Sequence, residues 1–416
     1  MKRYSTYKDS GVSWIGEIPE HWKTGKLKYN LKLINDKSNY IPNSTYVGLE
    51  NIESWTGKYI PSDIIAEGQT NLFQCNDLLF GKLRPYLAKT YKCEFTGCCS
   101  PELLVYRTKE NVDYFKYLFL SKPFIELIDS STYGSKMPRA NSIFIGSQFL
   151  PIPPVSEQQA IVSFLDGKVS EIDDFIVKQE KQIELLKEWK QGEILRIVTK
   201  GLNPVVKMKN SGIGWIGKIP EHWKTKRFGS AFIENREINS KLGHLEAYKF
   251  YYGSLIRKDI DVDPKEVADT YRKYTIIRTN DIVINGLNLN YDFVSQRVAK
   301  VYSDGIITSA YLVFRPRNNV NHQFYLYFFK AMDNLKLFHG MGSGIRLTLS
   351  YSDLKNQLIV CPPPSEQQEI VEYIERKTTE ADKLIVELTY QVEYLKEYKQ
   401  SLIYDVVTGK INVQPE

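Results

Sequence analysis

The chain has 416 residues, a formal net charge of +6, 42% hydrophobic and 25% charged residues. That length exceeds one comfortable core and implies several domains. No run approaches the roughly 20 apolar residues of a membrane span, and MKRYSTYKDS lacks an apolar signal region, so a cytoplasmic protein is expected.

Residues 10–24 read SGVSWIGEIPEHWKT. The aromatic and proline content of this stretch, with Trp14, Pro19 and Trp22, predicts a structural clasp. His21 beside Glu20 raises an acid–base role, but a packing motif is the better account. Short strands and turns should follow, DLLFGKLRPYLAKTYKCEFTG among them. Within it Lys82, Arg84, Tyr86 and Lys89 are candidates for touching a polyanion. Cys93, Cys98 and Cys99 lie close together without a second zinc-spaced pair, so reduced thiols are expected. GSKMPRANS at 134–142 offers Lys136 and Arg139, either as a nucleic-acid loop or as an exposed turn.

PPVSEQQAIV at 153–162 then predicts a helix start, with Ser156 as N-cap and Gln159 closing a capping box. No proline recurs until Pro204, which allows a helix of roughly 65 Å and asks for a coiled-coil partner. Its predicted seam runs through Ile161, Leu165, Lys168, Ile172, Phe175, Gln179, Gln182, Leu186, Trp189 and Glu193.

The order then repeats. SGIGWIGKIPEHWKT fills 211–225, with Trp215, Pro220, His222 and Trp223 in the corresponding places. TNDIVI at 279–284 echoes CNDLLF at 75–80, and YLVFR at 311–315 echoes LLVYR at 103–107. Asn285, Asn288, Asn290, Tyr291 and Arg297 are the binding candidates of GLNLNYDFVSQR, and Arg346 that of GSGIRLTLS. PPPSEQQEIV at 362–371 predicts a second helix capped by Ser365 and Gln368. Its seam is Ile370, Ile374, Lys377, Ala381, Leu384, Leu388, Gln391, Leu395, Tyr398 and Leu402. The polar pairs Lys168 with Lys377 and Gln182 with Gln391 either fix register or mark drift of the seam. Two such stripes in one chain should cover each other as an antiparallel pair.

Charge follows this division. Residues 156–200 carry seven basic and nine acidic side chains, and 365–409 carry five and ten, leaving +13 on the remainder. Basic modules beside acidic helices suggest a polyanion gripped at two points, or simply solvated surface. No phosphate-binding Gly-rich loop, dinucleotide fingerprint, methyltransferase signature or nuclease cluster is present, so no catalytic residue and no metal is assigned.

The repeated WIGxIPEHW, the repeated PPxSEQQxIV with its long helix, and DLLFGKLRPYLAK together resemble the specificity subunits of type I restriction–modification systems (HsdS type). The likeness spans essentially the whole chain; DIVINGLNLNYDF replaces the DLLFGKLRPYLAK pattern in the second half. It implies an α+β protein: two mixed α/β target-recognition domains, separated by long antiparallel coiled-coil helices, in an internal pseudo-two-fold repeat. The boundaries would be 1–155 and 201–364 for recognition, 156–200 and 365–416 for the spacer helices. It further implies that each recognition domain reads half of a bipartite double-stranded DNA site. Two modification subunits would supply methylation with S-adenosylmethionine, and restriction subunits would supply ATP-driven cleavage. The chain itself would hold no cofactor and would not be an enzyme. The rivals are a self-sufficient nucleic-acid-modifying enzyme and a coiled-coil scaffold that needs no DNA.

Overall fold

The computed structural model describes residues 2–39, 44–63, 68–132, 134, 136–258, 264–317, 320–342, 344 and 347–414. It divides into two compact units, Met1–Lys181 with Leu388–Glu416, and Gln182–Glu387. Each long helix is therefore shared between units, where separate spacer domains at 156–200 and 365–416 were expected.

In the first unit the central sheet is antiparallel. Strand β1 (Leu78–Gly81) is flanked by β2 (Thr90–Lys92) and β3 (Leu103–Arg107), and β3 also pairs with Lys32–Ile34. All four residues of β1 are buried, so their apolar side chains are covered on both faces. Helix α1 (Val112–Leu120) follows, capped by Asn111, whose side chain accepts from the amides of Asp113 and Tyr114. A second sheet, in the order Lys37–Asn39, Gln69–Phe73, Gly97–Cys99, Tyr46–Val47, completes the unit. Cys93, Cys98 and Cys99 are buried free thiols here, and burial pushes Cys99 up to about 12.

Helix α2 (Val155–Lys200) ends where Gly201 adopts φ 77° and donates to Ile197 O. In the second unit, β4 (Ile282–Ile284), β5 (Val298–Lys300) and β6 (Leu312–Pro316) form the corresponding sheet, with Phe232–Glu234 beside β6. Helix α3 (His322–Asn334) takes the place of α1 and has Asn321 as its cap. Helix α4 (Pro364–Val407) closes the series. The echoed segments CNDLLF/LLVYR and TNDIVI/YLVFR are thus the paired central strands of each unit. Each pair is tied at its end by a matching ion pair, Arg107–Asp77 at 2.7 Å and Arg315–Asp281 at 2.8 Å, with both carboxylates buried. The two units differ outside this frame. The second carries a hairpin of Tyr248–Tyr251 with Ser254–Arg257, where the first has, among the described residues, a single antiparallel bridge between Ile52 and Tyr59.

The helices pair antiparallel within each unit. In the first, Lys399 bonds Asp173 at 2.7 Å, Lys396 bonds Glu180 at 3.1 Å, and Gln179 donates to Gln391 at 2.9 Å. In the second, Lys190 bonds Asp382 at 2.5 Å and Tyr373 donates to Glu193 at 3.0 Å.

The seam departs from the expected one at alternate positions. Ile161, Leu165, Ile172, Ile370, Ile374 and Leu388 are buried, and Leu186 and Leu395 are half-buried. Phe175 is 58% exposed, however, and Trp189, Leu384 and Tyr398 are also exposed. Their places are taken by Ile176, Lys190, Ile385 and Lys399. The cause is an extra four-residue step at the start of each helix, Ile161–Leu165–Val169 and Ile370–Ile374–Thr378, before the 3-4 alternation begins. Each helix therefore opens on an 11-residue spacing, which shifts the stripe around the cylinder. Lys168 and Lys377 fall outside the stripe and pair with Glu171 and Glu380 of their own helices. Seam drift, not a buried register lock, accounts for them; Gln182 is likewise exposed.

Candidate nucleic-acid interface

The expected capping boxes do not form, because the helices start at Val155 and Pro364, two residues earlier than caps at Ser156 and Ser365 require. The SEQQ side chains act instead as a fastening. Glu157 Oε2 accepts from Trp22 Nε1 at 2.9 Å, and Glu157 Oε1 lies 2.6 Å from His21 Nε2. Glu366 receives Trp223 Nε1 at 2.9 Å and faces His222 Nε2 at 2.7 Å. Gln158 donates to Pro153 O and accepts from the Asn111 amide; Gln367 does the same with Pro362 O and Asn321. Gln159 and Gln368 accept from the side-chain amides of those asparagines, at 3.0 and 3.1 Å.

Trp22 and Trp223 are fully buried. Each indole also lies against the glycine that ends the other long helix: a Cβ on Gly409 would stand 3.0 Å from Trp22, and one on Gly201 3.2 Å from Trp223. Both glycines have positive φ, so the chain reverses without a side chain there. Pro19 and Pro220 are buried beside them. Trp14 and Trp215 are half-buried, edge-on to Phe124 (5.6 Å) and tilted against Phe328 (5.5 Å) respectively. The histidines hold a mount, each by its Nε2 on a helix glutamate.

The mount supports a pair of loops in each unit. In the first unit the GKLRPY loop is zipped to PRAN: Arg84 N donates to Pro138 O at 2.8 Å, Ala140 N donates to Lys82 O at 2.9 Å, and Leu83 bridges Arg139. Arg84, Tyr86 and Lys136 are exposed, and Lys82 is half-buried. Arg139 is engaged by Glu102 at 3.1 Å. Lys89 is a correction. Its amine donates to Leu49 O and Ile52 O, both at 2.7 Å, and burial lowers its pKa, so it fastens the loop from within.

In the second unit the loop after β4 meets residues 347–349: Leu289 N donates to Leu347 O at 3.2 Å and Leu349 N to Gly286 O at 2.9 Å. Asn288 and Tyr291 are exposed. Asn285 is half-buried and accepts from Leu287 N, and Asn290 is also half-buried. Arg297 is the second correction, being 0% exposed. Its guanidinium donates to Asn285 O, Leu287 O and Asp292 O at 3.0, 2.8 and 2.7 Å. A side chain held by three carbonyls inside the fold is not available to DNA. Arg346 lies outside the described residues.

Outside the sequence candidates, Tyr251 and Tyr252 are exposed at the tip of the 248–257 hairpin, and Phe293 and Val294 in the loop after β4. Gly253 brings that hairpin against Gln296, so these side chains belong to one region of the second unit. The only signal was YYGS, a turn glycine behind two tyrosines. Among the described residues no cluster of His, Cys, Asp and Glu is arranged to hold a metal, and no helix is long and apolar enough to cross a membrane.

Residues 7–185 and 220–394 match the type I restriction modification DNA specificity domain. The MjaVIII type I restriction enzyme specificity subunit of Methanocaldococcus jannaschii is 24% identical, over 76% of this chain and 75% of its own. A chain from a structure of complex assembly and conformational transition in a type I R-M system superposes with a TM-score of 0.73 at 16% identity, covering 95% of this chain and 99% of that one. The HsdS subunit of Thermoanaerobacter tengcongensis superposes at 0.52 with 17% identity, covering 95% and 98%. The chain belongs to the type I restriction–modification DNA specificity family, as a specificity subunit with two such domains rather than as an enzyme.

Proposed function

We propose that each specificity domain reads one half of a bipartite double-stranded DNA site. The paired helices fix the unread gap between the halves and, on their outward faces, dock two modification subunits. Restriction subunits join that complex. S-adenosylmethionine and ATP belong to those partners, and this chain contributes sequence choice alone.

The observation that carries this reading is the duplication itself. One sheet, one mount and one pair of zipped loops occur twice, and the side chains at the loop surfaces differ between the copies. A scaffold without a ligand has no physical reason to keep two loop pairs rigid while varying what they present. Assembly is supported by the likeness to a chain from a type I R-M complex.

Exchange of residues 201–364 for the second domain of another specificity subunit, followed by methylome sequencing, tests the reading. One half-site should change and the other should stay. A change in both halves would end the two-reader account. Duplex binding that ignores salt would favour the scaffold, because phosphate-dominated binding weakens steeply as salt rises.

A further inference from the structure

The two loops leave their strands at the same register, and their zipper bonds then differ by one residue: Arg84 N donates to Pro138 O, whereas Leu289 N, one past Asn288, donates to Leu347 O. Strand β1 last pairs with β2 through Phe80 and Thr90, and β4 last pairs with β5 through Ile284 and Val298. The fourth residue after the last paired position is Arg84 in one unit and Asn288 in the other. Both are exposed, and both are left-handed, with φ of 50° and 53°. The residue just before each return strand is Lys89 or Arg297. Each turns its cation inward onto backbone carbonyl groups and so holds its loop still. The hydrogen bonds to 138–140 and 347–349 fasten the loops from the other side.

We propose that Arg84 and Asn288 are equivalent base-reading residues, Arg84 for a guanine in one half-site and Asn288 for an adenine in the other. This rests on the half-site reading above. The chemistry follows from the side chains: a guanidinium fork matches O6 and N7 of guanine, and a carboxamide matches N6 and N7 of adenine. Phosphate binding accounts for the pair less well. It needs only charge, and Asn288 has none at the place where Arg84 stands. Turn convenience also falls short, since asparagine tolerates a left-handed backbone but arginine gains nothing from it. An arginine kept there, on a loop fastened from both sides, is placed for its head group.

The test uses the full chain assembled with its modification subunits, read by genome-wide methylation mapping and by duplex competition. The variants are Arg84→Lys, Arg84→Gly, Asn288→Asp and Asn288→Gly; glycine keeps the left-handed backbone, and thermal melts check the fold. Arg84→Lys keeps the charge but loses the fork. Each variant should relax one position, a guanine or an adenine, in its own half-site. Discrimination at that position should fall about ten- to hundredfold. The other half-site should be unchanged. Uniform weakening across sequences with a shallower salt slope, rescue by Arg84→Lys, or an unaltered recognised sequence would overturn the assignment. If the unmodified complex has no bipartite site, the two-reader account itself fails; if it has one and these variants leave it intact, only the assignment fails.

Discussion

The loops Lys82–Lys89 and Gly286–Arg297 leave and rejoin their sheets at matching register, yet the second is four residues longer. Their mounts, in contrast, agree down to individual hydrogen bonds: Trp22 and His21 on Glu157, Trp223 and His222 on Glu366. The difference shows that strand register and an inward cation fix where a loop stands, while its length and surface chemistry stay free. Trp22, Trp223, Glu157, Gln158 and Gln367 are buried and paired, so a change in one strands its partner. The tip groups face water and have no such constraint.

If the mounts are equivalent, Trp22→Ala and Trp223→Ala should each cost about 3–5 kcal/mol, with equal losses of the denaturation midpoint. Unequal losses would break the equivalence. Asp77→Ala and Asp281→Ala each remove a buried carboxylate from an arginine, and about 2–3 kcal/mol should be lost in both cases. Tyr4→Phe sharpens the comparison, because Tyr4 donates to Glu157 at 2.9 Å whereas its counterpart Val205 is exposed. About 1 kcal/mol should disappear, visible as faster hydrogen exchange around Glu157 and not around Glu366. Gly167→Ala and Gly192→Ala sit at open positions of α2 and should each add about 0.5–1 kcal/mol to stability by denaturant titration.

Much of the fold was legible because the chain states it twice. The echoes CNDLLF/TNDIVI and LLVYR/YLVFR located the central strands, and the proline-free stretches located both helices. The seam was half legible. Leu384 and Ile385 are both apolar, so composition cannot decide between them, and the extra four-residue step at the helix start decides instead. The SEQQ glutamines have two uses, capping or tertiary bonding, and only the position of Asn111 and Asn321 selects the second. Among the candidates, Arg84 and Asn288 were chosen by residue type, and both lie exposed in their loops. Lys89 and Arg297 were misplaced, since a cation inside a loop looks the same in sequence as one outside it. The approach of the Tyr251–Tyr252 hairpin to the loop after β4 was not legible, because nothing in YYGS ties the two together.

The duplicated mount has a consequence for how this protein changes over generations. Two nearly identical seats, each closed by the same Trp–His–Glu and Asn–Gln contacts, suit a specificity domain as a socket suits a plug. A foreign domain that brings its own WIGxIPEHW edge finds its hydrogen-bond partners already in place. If each domain reads a half-site as proposed, exchange of whole domains would give new targets at little cost to folding, without passing through half-mutated loops.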